Sequence, residues 1–378
     1  MLGILLYLAT IGGIPHISSV LIGLYALLFR GHLLKSIPRN VYTVLILYWV
    51  FILGATLNVT IHSAFTGNIE IPYVWLLPLI FIVAYTLNVK DITWLIVLAA
   101  IEALVGLYEY SIGVNTVLPW VTSREIGESV YMYYNKVKGL SDGSATYTIK
   151  LLIALVLLEK YRCLFRKWLL YLLNMILLVA IVMCFSRTVL VCAILFKIVI
   201  ILRGYYIKWK QVGTNQKIVL FASLGFILLL FLFVCSLIWE DFIFQFSRGS
   251  NTLDLSGRDH IWEYYTNFIK NNLFFGNGSF RLLNIDGNHA HNSYLQIVAN
   301  NGLLLSLLFI FTTFFNIKKR DYVYVFPLLI LAFAQYALFW GFSYADVILA
   351  FFIFNQNSYC LSLENKRYNL IKSDCQSC

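Results

Sequence analysis

The side chains best suited to chemistry lie close together in one stretch. Three of the six histidines (His260, His289 and His291) and three arginines (Arg248, Arg258 and Arg281) fall within residues 248–305, a polar interruption between two long apolar runs. An imidazole is partly neutral near pH 7 and can take a proton. A planar guanidinium binds phosphate or carboxylate oxygens through paired, charge-assisted hydrogen bonds. These residue types therefore allow a proton acceptor beside an anion clamp. Asn288-His289-Ala290-His291-Asn292 also offers two imidazoles to a metal, but no carboxylate or cysteine is spaced to complete the shell, so no metal is expected. Gly276-Asn277-Gly278 reads as a turn, and one Gly-x-Gly is thin evidence for a phosphate cradle.

Two further cations stand out. Arg187 follows Ser186 where two apolar runs meet almost without a loop. Ser186 suits a helix cap, which puts Arg187 at the positive end of the helix dipole, where a cation is disfavoured by about a few tenths of a kcal/mol. Either an anion compensates it or it snorkels to lipid headgroups. Lys150 lies less than two turns inside an apolar segment that Ser144 is expected to cap. An ammonium at that depth is expected either to snorkel to the interface or to face a wet cavity that receives an anion.

The elements that position these groups follow from composition. A chain of 378 residues that is 60% hydrophobic and only 12% charged, with mean hydropathy +0.79, is not an ordinary soluble domain. It is expected to be an all-α polytopic membrane protein, one integral domain over 1–378. Runs of approximately 41–57, 71–87, 92–110, 145–159, 169–185, 188–202, 218–239, 296–317, 322–341 and 345–361 are spans of a bundle of about 11–12 helices. The first thirty residues carry no charge before Arg30, so no removable signal peptide is read there; Gly12-Gly13-Ile14-Pro15 leaves either one kinked span or two short ones.

Eighteen of the 28 basic residues fall in one set of alternate loops and eight in the other, which assigns the first set to the cytoplasm. Topology thus accounts for most of the net charge of +10, and no nucleic-acid partner is called for. Long outer loops are expected over about 111–144 and 240–295, with a cytoplasmic tail over about 362–378. All seven cysteines fall in spans or on the cytoplasmic side, so no disulfide framework holds the outer loops. Cys375 and Cys378 lack a second ligand pair or an aliphatic spacer and read as part of a disordered tail. Within the later loop, Ser256-x-x-Asp259 resembles a capping box for a short surface helix whose apolar face is Ile261, Tyr264, Tyr265 and Phe268. Arg258 and Trp262, four apart, share a side of it, with the guanidinium near the bundle mouth and the indole at the membrane interface.

The order of Ser186-Arg187, Ser256-Gly257-Arg258 with Trp262, Gly276-x-Gly278, and His291-Asn292 with Gly302 ten residues after the asparagine resembles the O-antigen ligase/polymerase superfamily. The signature covers about 186–305. The turn from Gly139 to Ala145 is similar as well. Where members often carry a small or turn residue three after the motif glycine, this chain has Leu305; where they carry a proline before Gly-x-Gly, it has Asn271 to Phe275 without one.

The resemblance implies a metal-independent, cofactor-free, inverting glycosyltransferase of the bacterial cytoplasmic membrane, working on its outer face. Its donor would be a polyprenyl-pyrophosphate-linked oligosaccharide, with a chain-length regulator and a flippase as partners. On that resemblance Arg187 and Arg258 bind the donor pyrophosphate and His291 is the general base, while Lys150, Arg281, His289 and Asn292 are further substrate-facing candidates.

Three readings remain open. A polymerase joins lipid-linked repeat units into O-antigen, capsule or exopolysaccharide. A ligase moves finished glycan to lipid A core or protein. A transporter of the same glycolipid does no chemistry. The polymerase is favoured because Arg124, Lys136, Lys138, Tyr131, Tyr133, Tyr134 and Tyr147 in and beside the 111–144 loop suit a second, sugar-bearing substrate. A transporter would place charges near the midplane of several spans and show paired repeats, and here the polar residues gather at one end.

Overall fold

The computed structural model describes residues 1–12, 17–67, 73–121, 136–211, 213–237, 257–339 and 341–354. They form thirteen α-helices: α1 Leu2–Leu8, α2 Ile17–Arg30, α3 Arg39–Thr66, α4 Leu77–Thr86, α5 Val89–Ser111, α6 Ser144–Lys160, α7 Lys167–Met183, α8 Arg187–Gln211, α9 Thr214–Leu237, α10 Arg258–Asn271, α11 Ser293–Phe315, α12 Tyr322–Ala334 and α13 Tyr344–Phe354. The architecture is that of an all-α polytopic membrane protein. Four helices, over Val41–Thr66, Val89–Ser111, Arg187–Lys210 and Ser293–Phe315, are individually long and apolar enough to cross a bilayer. Among the described residues each apolar run of the sequence overlaps a helix, although several of these helices are shorter than a full span. The opening segment resolves as two helices, α1 and α2, and not as one kinked span.

Helix α6 is the hub. It packs against α5, α7, α8, α12 and α13, and it is buried on every side from Leu151 to Leu158. Around it α5 pairs with α1 and α7, α8 with α12, α4 with α2 and α13, and α3 with α11. Chain direction places the segments after α5, between α7 and α8, before α11 and after α12 at one end of the bundle. The Lys160–Asp321 ion pair, 3.1 Å, ties α6 to the start of α12 at the opposite, basic end.

Both lysines inside the apolar helices are neutralised by carboxylates. Lys197 is bound by Glu159 and Asn174 between α8, α6 and α7. Lys150 lies 2.7 Å from Glu102 of α5, donates to Thr10 Oγ1 at 3.1 Å and sits over the Tyr7 ring. It neither snorkels nor faces a cavity: at 1% exposure it is spent on an internal ion pair, which corrects its reading as a substrate-facing group. Glu102 also accepts from Leu140 N, Ser141 Oγ and Tyr7 Oη, so one carboxylate binds α1, α6 and the end of the 111–143 segment together.

Two expectations beside it are corrected. Ser144 is the first helical residue of α6, not its cap; Gly143 holds that position. Tyr147 is fully buried against Gly106 and Gly139, so it is core and offers no face to a sugar. Arg124, Tyr131, Tyr133 and Tyr134 lie outside the described residues, as do Arg248, Ser256 and the tail over 362–378.

Candidate active site at the mouth of α11

The site is built on the start of α11. Asn292 is its N-cap, its side-chain oxygen accepting from Tyr294 N at 2.9 Å and Leu295 N at 3.1 Å. That oxygen satisfies the helix and is not offered to a substrate, so Asn292 acts by setting where the helix begins. The residue before it, His291, has φ 49°, a left-handed backbone that few side chains adopt and that costs about 1–3 kcal/mol. Neighbours fix this strained turn from both sides: Ala290 N donates to Gln296 Oε1 and Trp262 Nε1 donates to Ala290 O, each at 2.8 Å. The Trp262 indole therefore pins α10 to the histidine loop.

Helix α10 lies against α11 through Tyr265, Ile261, Phe268, Leu282 and Ala299, confirming the apolar face read from spacing. The Tyr265 hydroxyl is buried and bonds Leu282 O at 2.8 Å and Asn288 O at 3.2 Å, holding both sides of the turn within 282–288 to the helix. The helix starts at Arg258 with Gly257 in the cap position at φ 70°. Arg258, half-buried, thus sits in the first turn of a helix that Trp262 ties to the histidines.

The histidine rings are 4.2 Å apart at 78°, and His291 N donates to His289 Nδ1 at 3.3 Å. His289 packs edge-on to Tyr336 at 5.3 Å, and the Arg281 guanidinium lies 5.6 Å over the same ring. Tyr336 arrives on the segment after α12, which the Ser293 hydroxyl holds by donating to Gln335 O and accepting from Ala337 N and Leu338 N, all at 3.1 Å. Arg258, Arg281, His289 and His291 thus converge on one mouth.

The electrostatics follow from that convergence. Burial first, then His289 and Arg258, push the His291 imidazole down from 6.5 to about 4. Burial also lowers His289, with Arg281 and Arg258 acting in the same direction against one opposing hydrogen bond. At neutral pH His291 is an uncharged imidazole in a positive field, able to accept a proton.

Arg187 enters the same end by another route. It opens α8 directly after Ser186, whose carbonyl accepts from Leu190 N at 2.9 Å, and Phe185 before it has φ 50°. Helix α8 packs along α12, whose end delivers Tyr336.

Gly276-Asn277-Gly278 proves to be a docking wedge. Helix α11 breaks at Gly302 (φ 76°, ψ 170°), which leaves backbone groups without helical partners. The glycine turn supplies them: Asn277 N donates to Ala299 O at 2.8 Å, Ser279 N to Asn300 O at 2.8 Å, and Leu303 N donates to Leu273 O at 2.7 Å. A broken helix inside an apolar bundle is tolerable only when its freed groups are paired in this way. A Cβ on Gly276 would stand 2.5 Å from Gly302 N, and one on Gly302 would stand 2.0 Å from Phe274 O, so both positions require glycine. Asn58 Nδ2 of α3 braces the wedge from behind, donating to Phe275 O at 2.8 Å and Ser279 Oγ at 3.1 Å. Leu305, the departure from the small residue of the family pattern, is accommodated over Gly54 of α3, where a Cβ would meet its Cδ2 at 2.5 Å.

Sequence reasoning missed Gln296, Ser293 and Tyr336, and for Tyr265 it read the ring's apolar face but not the bonds of its hydroxyl. The run Gln296, Asn300 and Asn301 on one apolar helix was the available signal for the first; Tyr336, on a separate segment, left none.

No curated protein matches the sequence. The family described as O-antigen ligase matches residues 172–310, a span that holds Arg187, Arg258, the glycine wedge, Arg281, both histidines and Gly302. Over that segment, which is 139 of the 378 residues, the chain is similar to the O-antigen ligase family, in agreement with the resemblance its motifs carry.

Proposed function

We propose that the protein is a membrane glycosyltransferase that moves glycan from a polyprenyl-pyrophosphate donor to an acceptor hydroxyl, at the end of the bundle facing away from the cytoplasm. The observation that carries this reading is the convergence at the mouth of α11 of the paired rings of His289 and His291 with Arg281 over Tyr336 and Arg258 at the start of α10. His291 takes the acceptor proton as the oxygen attacks the anomeric carbon, and the bond to pyrophosphate breaks with inversion. Arg258 and Arg187 hold the departing pyrophosphate, whose charge grows as that bond breaks. Arg281 and His289 line the mouth. The donor is already activated and the guanidiniums carry its leaving charge, so the proposed reaction uses neither nucleotide nor metal.

Within this chemistry we take polymerisation as the finer reading. The described ends of a second long segment, 111–121 and 136–143, lie at the same end of the bundle, and in this reading that segment holds a second lipid-linked glycan. Ligation is the competing reading, favoured by the description of the matching family as O-antigen ligase. Purified protein given one polyprenyl-pyrophosphate repeat unit, without lipid A core or acceptor protein, is expected to yield a ladder of products and free polyprenyl pyrophosphate. A protein inert on that substrate but active once lipid A core is added is a ligase. Retained transfer with both Arg187 and Arg258 replaced would overturn the shared chemistry.

A further inference from the structure

Beside the mouth lies an open cleft of about 460 Å³ between the first two turns of α10 and the turn over 284–288. Its size falls in the range of small-ligand sites, roughly 300–1,000 Å³. His260, Tyr264 and Ile261 line it from the helix, and Ile285, Asp286 and Asn288 from the turn. The turn is held rigid from within. Asn284 Oδ1 accepts from Asp286 N at 3.1 Å and Asn288 N at 2.7 Å, and Asn284 N donates to Asn288 O at 2.9 Å. Asp286 and Asn288 are exposed on this turn, Asp286 Oδ2 also accepting from Asn284 Nδ2 at 3.3 Å, and Ile285 is 93% exposed.

These side chains suit one class of ligand. A pyranose offers an apolar C–H face and a rim of hydroxyls that both donate and accept. Tyr264, Ile261 and Ile285 provide apolar surface for the face, and Asp286, Asn288 and His260 provide acceptors and donors for the rim. The carboxylate of Asp286 disfavours an anionic sugar or a phosphate and leaves a neutral saccharide as the fitting occupant. The cleft also adjoins the reacting groups. Asn288 is the neighbour of His289, and His260 and Ile261 share a helix turn with Arg258, so the cleft borders the residues that line the mouth.

We propose that this cleft is a neutral-saccharide subsite that holds sugar residues of the glycan beyond the reacting one. The inference rests on the glycosyltransferase reading above and names its substrate contacts. It divides recognition in two: arginines for the pyrophosphate, the cleft for the sugars.

The test uses full-length protein in detergent and two probes. One is the neutral repeat-unit oligosaccharide freed by mild acid from the producing strain's lipid-linked intermediate; the other is inorganic pyrophosphate. Removing both rim groups in Asp286→Ala/Asn288→Ala is expected to weaken oligosaccharide binding about ten-fold or more and to leave pyrophosphate binding within about two-fold. The KM for the lipid-linked unit should rise in parallel while kcat changes little. Should the double variant melt early, His260→Ala, on an exposed helix face, carries the same expectation at smaller size. Unchanged oligosaccharide affinity and KM in a folded variant, or no binding by the parent protein, overturns the subsite. Failure of the parent to transfer glycan to any acceptor overturns the catalytic reading instead, and the binding measurement then decides the cleft separately.

Discussion

Two cationic clusters occupy the loop-bearing end of this bundle, and they are built on opposite principles. Around Glu102 the charge closes on itself: Lys150, Tyr7, Ser141 and Leu140 N all end on one carboxylate, and Lys150 and Glu102 are 1% and 0% exposed. Around His291 the neighbouring charges are of like sign: burial, then His289 and Arg258, hold His291 near 4, and burial with Arg281 and Arg258 lowers His289. A polar group that completes its own pairing supports the fold. A group whose protonation is displaced by positive neighbours is prepared for an anion that arrives from elsewhere. Both contain a conspicuous buried-end cation in sequence, and only the surroundings separate structure from chemistry.

Exchange of one side chain in each cluster should separate them most sharply. His291→Ala is expected to lower transfer about 10²–10⁴-fold, the usual contribution of a general base, with the melting temperature and donor binding held. Abundant polymer from this variant, measured as ladder formation on the single donor, would erase the distinction. Lys150→Met should do the reverse. It leaves Glu102 buried without its counter-ion, a loss of about 3–5 kcal/mol, so the protein should melt early while the folded fraction keeps its specific activity.

The wedge tests whether the mouth depends on its scaffold. Gly302→Ala forces a side chain into a backbone carbonyl at positive φ, and a loss of about 1–3 kcal/mol or more is expected, read as a lowered melting transition. Arg258→Lys keeps the charge but loses the planar fork, and should cost roughly ten-fold in kcat/KM if the fork holds pyrophosphate. A normal lysine variant would return Arg258 to the role of an interface cation.

The pH profile sharpens the same contrast. A base works when deprotonated, that is, above its pKa, so a pKa lowered from 6.5 to about 4 carries activity to lower pH. The acidic limb of kcat/KM for the free protein should therefore lie near 4, and Arg258→Gln, by removing part of the positive field, should move it upward. Bound pyrophosphate raises the imidazole, so the limb of kcat should lie above that of kcat/KM. The smallest effect is expected for His289→Ala, a change of a few-fold at most in the ladder assay, since that ring lines the mouth.

The helices were legible because apolar runs of sufficient length have few other solutions, and the order of Arg187, Arg258 and His291 was legible because each stands at a helix start. The partner of Lys150 was not, because Glu102 lies 48 positions earlier and nothing local to either residue announces the other. Tyr147 read as a loop tyrosine and became core for a related reason: Gly106 and Gly139 make the space it fills, and a glycine shows only that space is available. The Gly302 break was hidden inside an apolar run whose composition looks continuous, and the purpose of Gly276-x-Gly278 became visible only with the break it fills.

The docked glycine turn has one more effect. Backbone bonds from residues 273–279 grip α11 on both sides of Gly302, and Trp262 and Tyr265 fasten α10 to the same half-helix. The portion of α11 ahead of the break, the whole of α10 and the histidine loop are consequently one stitched plate seated on the bundle. Such a plate is expected to move as a unit when the surrounding lipid tilts the long helices, keeping the spacing between His291 and Arg258, while Arg187 on α8 would shift with the bundle.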